Sequence, residues 1–322
     1  RYRPLLVCAI GIHVLHGFYA LCQEFLASHR FNSDIFQFPV FIIAVNHTCG
    51  AVFAFANLKV NKLPVLGPGI QLTTLPATVD YVATLLQHQA LYYIFFPAQT
   101  LMKTLKLIPV MLVGRLLKNR TYSWLDYLEA ALITGLVTYF VYDFQFMQGS
   151  LSGGALQHAT WGIVMMVGYI ISDSFLSNLE DYVYQKARLD PAQMLFGLEL
   201  FSGVTAWVLL LFRGQLLPAL RFLATYRESI TYLIMQAWAS AIGAYTCTLT
   251  VRLYGPAIFT LLMMSRQVLS LVLSCIVFQH VVDWVACLCL VVVAFLILTS
   301  SLRRVSQQHS MEDAADADLK PQ

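Results

Sequence analysis

The sequence predicts an all-α integral membrane protein with ten transmembrane helices in two inverted five-helix repeats, and three observations predict it. Of its 322 residues 58% are hydrophobic and only 11% charged, too little polar surface to cover a water-soluble chain of this length. The apolar residues gather into ten stretches, each near the roughly 20 residues that one spanning helix needs. Offsetting the chain by 160 places Lys106 over Arg266 and Trp124 over Trp284, and Pro97-Ala98 matches Pro256-Ala257 with one residue of slippage. Halves of five spans each hold an odd number, so they must sit inverted in the bilayer. Residues 1–148 form the first repeat, 149–305 the second, and 306–322 a polar tail expected to be disordered.

The spans follow from hydropathy and from the turn residues between them. The first, near 4–27, lacks a charged leader with a small-residue cleavage site and is expected to act as an uncleaved anchor. The second, near 34–57, is closed by Asn61-Lys62-Leu63-Pro64 and Gly67-Pro68-Gly69. The third and fourth lie near 70–93 and 95–117, the latter ending at Lys118-Asn119-Arg120. The fifth, near 124–142, is followed by Gln148-Gly149-Ser150 and Gly153-Gly154. The sixth lies near 155–177, and Asp190-Pro191 opens the seventh at 191–212. The last three lie near 229–251, 256–278 and 283–302. Tyr92-Tyr93, Trp124, Trp161 and Trp284 fall near span ends, as an interfacial aromatic belt would place them.

Orientation follows from the basic residues. With Arg1 in the cytosol, one side collects 13 lysines and arginines, among them Lys59, Lys62, Arg115, Lys186, Arg252 and Arg303. The other collects four, Arg30, Arg213, Arg221 and Arg227. Both termini are therefore expected in the cytosol. Neither sequon should be glycosylated, because Asn46-His47-Thr48 falls within a span and Asn119-Arg120-Thr121 faces the cytosol. The seven cysteines lie in apolar segments without metal-ligand spacing and read as small buried hydrophobes, so no metal site, cofactor or disulfide framework is expected.

The remaining three cations, Lys103, Lys106 and Arg266, lie inside spans. A charge at bilayer depth costs roughly 2.5–3.5 kcal/mol on insertion scales and usually marks function. Gln99, Lys103 and Lys106 are spaced i, i+4, i+7 on one helical face, and Pro109 should bend that helix one turn later. Phe259, Met263 and Arg266 repeat the spacing in the ninth span, with Gln267 alongside. Three cations from two pseudo-symmetric helices would suit clustered phosphate or sulfate oxygens. Alternatively Asp80, Asp173 and Glu199, also inside spans, could neutralise them without a ligand. The sixth span is unusually polar: Tyr169, Ser172, Asp173, Phe175 and Asn178 could contact a base and ribose, or serve as interhelical glue. His13 and His16 read as core histidines.

No Walker loop, Rossmann fingerprint, HExxH or GxSxG is present, so the chain is not read as an enzyme and any transport would draw on exchange or gradients. A membrane-embedded transferase would need Asp173 or Glu199 as base, and neither has a partner motif. A receptor or scaffold without transport would tolerate loss of the buried cations.

The run PAQTLMKTLKLIPVMLVGRLL (97–117) resembles the fourth helix of nucleotide-sugar transporters of the drug/metabolite transporter superfamily, in the branch that shares PxQxxxKxxKxIPVM. DSFLSNLEDYVY (173–184), MLFGLELFSG (194–203) and YGPAIFTLLMMSRQVLSLVLSC (254–275) look most like its subgroup carrying 3′-phosphoadenosine 5′-phosphosulfate (PAPS). The resemblance covers nearly the whole chain. It implies an antiporter that brings PAPS into the Golgi lumen for sulfotransferases and returns adenosine 3′,5′-bisphosphate. UDP-galactose or ATP/ADP, cargoes of the same branch, are the alternative. On this resemblance Lys103, Lys106 and Arg266 would hold the phosphate and sulfate groups, with Gln99 and Gln267 in support, and Tyr169, Asp173 and their neighbours would face the nucleoside. Asp80 and Glu199 stand where the resemblance leads one to expect amides, and would shift substrate choice or pH dependence. The expected partners are these ligands and the lipid bilayer, with a homodimer left open and no nucleic acid. The C-terminal residues 318–322 lack a dilysine retrieval signal, which favours a Golgi membrane over the endoplasmic reticulum.

Overall fold

The computed structural model describes residues 3–32, 34–65, 67, 69–118, 123–147, 154–187, 189–277, 284–285, 288–289, 291–297, 299–300 and 303. The repeat boundary at 148–149, the tail 306–322, the second sequon and Cys287 lie outside them.

Helix α1 (Arg3–Ser28) leads through a short antiparallel hairpin, β1 (Arg30–Phe31) and β2 (Asp34–Ile35), into α2 (Pro39–Val60). A 3₁₀ turn, Ile70–Thr73, opens α3 (Thr74–Ala90), and α4 (Phe96–Met102), a second 3₁₀ turn (Lys103–Lys106) and α5 (Leu107–Lys118) follow. Then come α6 (Trp124–Met147), α7 (Gly154–Ala187), α8 (Pro191–Phe212), α9 (Leu216–Thr225) and α10 (Arg227–Val277). Four of these, α1, α2, α7 and α8, contain stretches long and apolar enough to cross a membrane among the described residues. Their exposed faces are apolar: Leu6, Ile10, Val14 and Phe18 recur every fourth residue along α1, and Ile163, Val167 and Ile171 do so along α7. Such stripes suit lipid.

The α8 boundaries coincide with the predicted seventh span. Its start is fixed by a capping box, in which the Asp190 carboxylate accepts from the Ala192 amide at 3.0 Å and the Gln193 side-chain oxygen accepts from the Asp190 amide at 3.0 Å. Helix α9 was not anticipated, because ten residues are too short to register as a span. It packs Ala219 and Leu223 into an aromatic cluster around Phe31, Phe36 and Phe222. At this same end the Tyr226 hydroxyl donates to Asp34 Oδ2 at 3.0 Å, and that carboxylate holds the phenol above its usual pKa range. Arg30, Arg213, Arg221 and Arg227 all belong to this end.

The opposite end joins the α2–α3 connection to the α7–α8 turn. The Gln193 side-chain amide donates to the Pro64 carbonyl at 2.9 Å, and Arg252 pairs with Asp190 at 3.2 Å. Lys59, Lys62, Lys186 and Arg252 lie here, so the structure separates the basic residues between ends as the sequence does. Arg303 ties the last described residue to the start of α6 through Asp126 at 2.9 Å and Glu129 at 2.7 Å.

Helix α10 is broken at Gly255, with φ 74° and ψ 173°. Gly11 on α1 approaches Thr246 before the break, while His13 lies 3.0 Å from Ser265 Oγ after it. A straight helix would separate Thr246 from Ser265 by roughly 28 Å at 1.5 Å per residue. The chain therefore reverses at Gly255, and its two arms lie side by side against α1. That backbone conformation is almost confined to glycine. Gly255→Ala is expected to destabilise the protein by about 1–3 kcal/mol, read as a lowered unfolding midpoint of the purified protein in detergent.

Candidate functional site

The two intramembrane lysines do not continue a regular helix. Pro109 has no N–H to offer the carbonyl of Leu105, four residues back, and the chain tightens into the 3₁₀ turn Lys103–Lys106 ahead of it. The bend expected at Pro109 thus falls one turn earlier. In a 3₁₀ turn residues three apart line up, and the lysines meet positions one helical turn apart on α7: Lys103 Nζ lies 5.8 Å from the Tyr169 ring centroid, and Lys106 Nζ lies 2.7 Å from Asp173 Oδ2. Lys106 is also 5.7 Å from the ring of Phe259, on the second arm of α10.

A cavity of about 200 Å³ opens among α1, α2, α3, α4, the Lys103–Lys106 turn, α7, α8 and α10. One wall is cationic. Lys103 (7% exposed) and Arg266 (6%) both line it, and among the described residues neither is ion-paired. Arg266 Nε lacks any hydrogen-bond partner there. Tyr169 completes this wall. Lys106, Gln99 and Gln267 lie behind it and do not line the cavity. Lys106 is held by Asp173. The Gln99 amide nitrogen donates to the Gln87 carbonyl at 2.7 Å, its oxygen lacking a partner, and both amide atoms of Gln267 lack partners among the described residues.

The opposite wall is acidic. His47 Nδ1 donates to Glu199 Oε2 at 2.7 Å, and the Ser202 hydroxyl lies 3.3 Å from Asp80 Oδ2 and 2.9 Å from the Ala77 carbonyl. Gly50, one turn along α2, leaves the space that Glu199 fills; a β-carbon there would overlap its carboxyl group. Of the three carboxylates that could have neutralised the intramembrane cations, only Asp173 does so. Glu199 and Asp80 are occupied elsewhere.

Of the α7 set expected to face a nucleoside, Tyr169 and Asp173 reach the cavity. Phe175 is 40% exposed on the outer face, and Asn178 turns its amide onto the Ser174 carbonyl at 2.9 Å. His13 is a satisfied core histidine, bonded to the Ala9 carbonyl and Ser265. His16, in contrast, lines the cavity with Tyr19 and Gln23. The signal for these three was a polar stripe at i, i+3, i+7 on an otherwise apolar helix. Asn46 and His47, also on the wall, carried no comparable pattern.

A second cavity of about 140 Å³ shares His16, Asp80, Asp173 and Glu199 with the first and runs past Leu195 and Thr248. It points toward the basic end of the molecule, where Arg252 meets Asp190.

Comparison with known proteins finds relatives over most of the chain. Human adenosine 3′-phospho 5′-phosphosulfate transporter 1 is 29% identical over 86% of this chain and 65% of its own length. UDP-galactose/UDP-glucose transporter 5 of Arabidopsis thaliana is 29% identical over 88% of this chain and 82% of its own, and transporter 5B is 30% identical over 85% and 81%. A solved crystal structure matches 91% of the chain and 98% of its own with a TM-score of 0.63 at 13% identity, which shows a shared fold. Residues 5–303, nearly the whole helical bundle, match a single family, and the chain belongs to it: the UAA transporter family.

Proposed function

We propose that this protein is a secondary antiporter that carries PAPS from the cytosol into the Golgi lumen in exchange for adenosine 3′,5′-bisphosphate. The observation that carries the reading is the cationic wall: two buried cations, Lys103 and Arg266, lie on one cavity without a carboxylate partner among the described residues. Buried charges are otherwise paired, so a polyanionic cargo is the natural counter-charge. At about 200 Å³ the cavity is smaller than the roughly 300 Å³ at the lower end of ligand pockets, so a nucleotide enters by the halves parting.

The packing supports two inverted repeats that rock about this site. Helix α3 packs on α7, and α1 packs on α10. Under a five-span offset the first of these pairs becomes the second, while the α2–α8 pair maps onto itself. The chain also restarts a helix at Phe96-Pro97 and again at Pro256, ahead of Lys103 and Arg266 respectively. Alternating access then exposes the central site to each side in turn.

A second reading within the family, a nucleotide-sugar cargo, is favoured by the acidic wall and by the likeness to the Arabidopsis transporters. The test uses liposomes preloaded with adenosine 3′,5′-bisphosphate and labelled PAPS outside, with external adenosine 3′,5′-bisphosphate, UDP-galactose, ATP and GDP-mannose as competitors. Uptake that requires internal nucleotide and yields only to adenine bisphosphates supports the first reading. Inhibition by UDP-galactose without inhibition by adenosine 3′,5′-bisphosphate selects the second.

A further inference from the structure

The acidic wall is a second recognition surface, and its chemistry is one-sided. Glu199 Oε2 and Asp80 Oδ2 have partners in His47 and Ser202, while the second oxygen of each carboxylate has none among the described residues. Asn46 Oδ1, on a side chain only 8% exposed, has no hydrogen-bond partner there either, and neither does His47 Nε2. All four residues line the cavity. The wall thus offers several unfilled acceptors, and buried polar atoms in native structures are as a rule satisfied by some partner. A phosphate or sulfate cannot be that partner, because it brings only oxygens and negative charge to two carboxylates.

We propose that Asp80, Glu199 and Asn46 form a donor-reading subsite that accepts hydrogen bonds from the neutral end of the cargo, while its anionic end rests on Lys103 and Arg266. This rests on the antiporter reading above and adds an orientation to it. The required ligand chemistry is a cluster of N–H or O–H donors, which an exocyclic amine on a nucleobase or the adjacent hydroxyls of a hexose can supply. His47 acts as a positioning residue that holds Glu199.

The experiment measures half-saturation for exchange in liposomes, with wild type, Glu199→Gln and Asp80→Asn. Two probe pairs change the donors: adenosine 3′,5′-bisphosphate against its inosine counterpart, in which a carbonyl replaces the amine and N1 gains a proton, and UDP-galactose against UDP, which lacks the hexose and its hydroxyls. Wild type is expected to favour the donor-bearing member of one pair by about tenfold or more, and the variants to shrink that ratio to within about threefold. Preference within the first pair identifies the amine, and within the second the hydroxyls. Wild type that discriminates neither pair, or a ratio unchanged in both variants, overturns the subsite. Wild type that discriminates neither pair overturns the subsite even where a variant fails to fold, and either variant that folds tests it by its own ratio. The antiporter reading fails separately, if Lys103→Ala and Arg266→Ala exchange all probes as wild type does.

Discussion

Lys106→Ala is expected to destabilise the protein by about 3–5 kcal/mol, the cost of leaving one member of a buried ion pair without the other. Lys106 is 2% exposed, and its ammonium lies 2.7 Å from Asp173 Oδ2, packed against Phe259. Counting intramembrane charges alone gives the opposite expectation, since one buried cation fewer eases insertion and should leave folding intact. The geometry decides between them, because removal of the lysine strands a carboxylate beside the site. The double variant Lys106→Met with Asp173→Asn should recover most of the stability, as replacing a whole buried pair is often neutral. Thermal unfolding of the purified single and double variants measures this. A single variant as stable as wild type would mean that the Lys106–Asp173 contact contributes nothing. Exchange activity separates the roles further: recovery in the double variant assigns Lys106 to holding Asp173, and continued loss assigns it to the cargo.

The apolar spans of α1, α2, α7 and α8 and the burial of Lys103, Lys106 and Arg266 were legible because each is written locally, in runs of about 20 residues or in single charges within them. What could not be read is what depends on partners far away in the chain. His47 and Glu199 are separated by 152 positions, so neither their contact nor the presence of an acidic wall follows from either segment. The same limit hid the division of labour among the cations. A regular helix would put Gln99, Lys103 and Lys106 on one surface, but the 3₁₀ turn ahead of Pro109 places Lys103 on the cavity and Lys106 behind it. The sequence did contain one further clue, since His16, Tyr19 and Gln23 form a polar stripe on a helix whose exposed face is apolar. Helix α9 was missed because its ten residues give an amphipathic segment rather than a span.

Arg266→Lys is expected to lower exchange by about 10- to 100-fold while leaving the unfolding midpoint unchanged, a loss that corresponds to about 1.5–3 kcal/mol for a hydrogen bond to a charged group. Charge is conserved in this substitution, so a site that merely needs positive potential would tolerate it. The position of Arg266 argues for more than potential. The guanidinium is 6% exposed on the cavity wall, its Nε has no partner among the described residues, and no carboxylate there neutralises it. A planar fork can deliver two parallel bonds to a phosphate or sulfate, whereas an ammonium on a shorter stem delivers one point charge. Lys103→Arg provides the control on the same wall, because the ammonium of Lys103 lies over the Tyr169 ring and a bulkier head must displace that contact. Initial rates and half-saturation of both variants, with melting curves, distinguish loss of anion contact from loss of fold. Arg266→Lys at the wild-type rate would remove the bidentate contact from the mechanism and leave the cationic wall as an electrostatic attractor only.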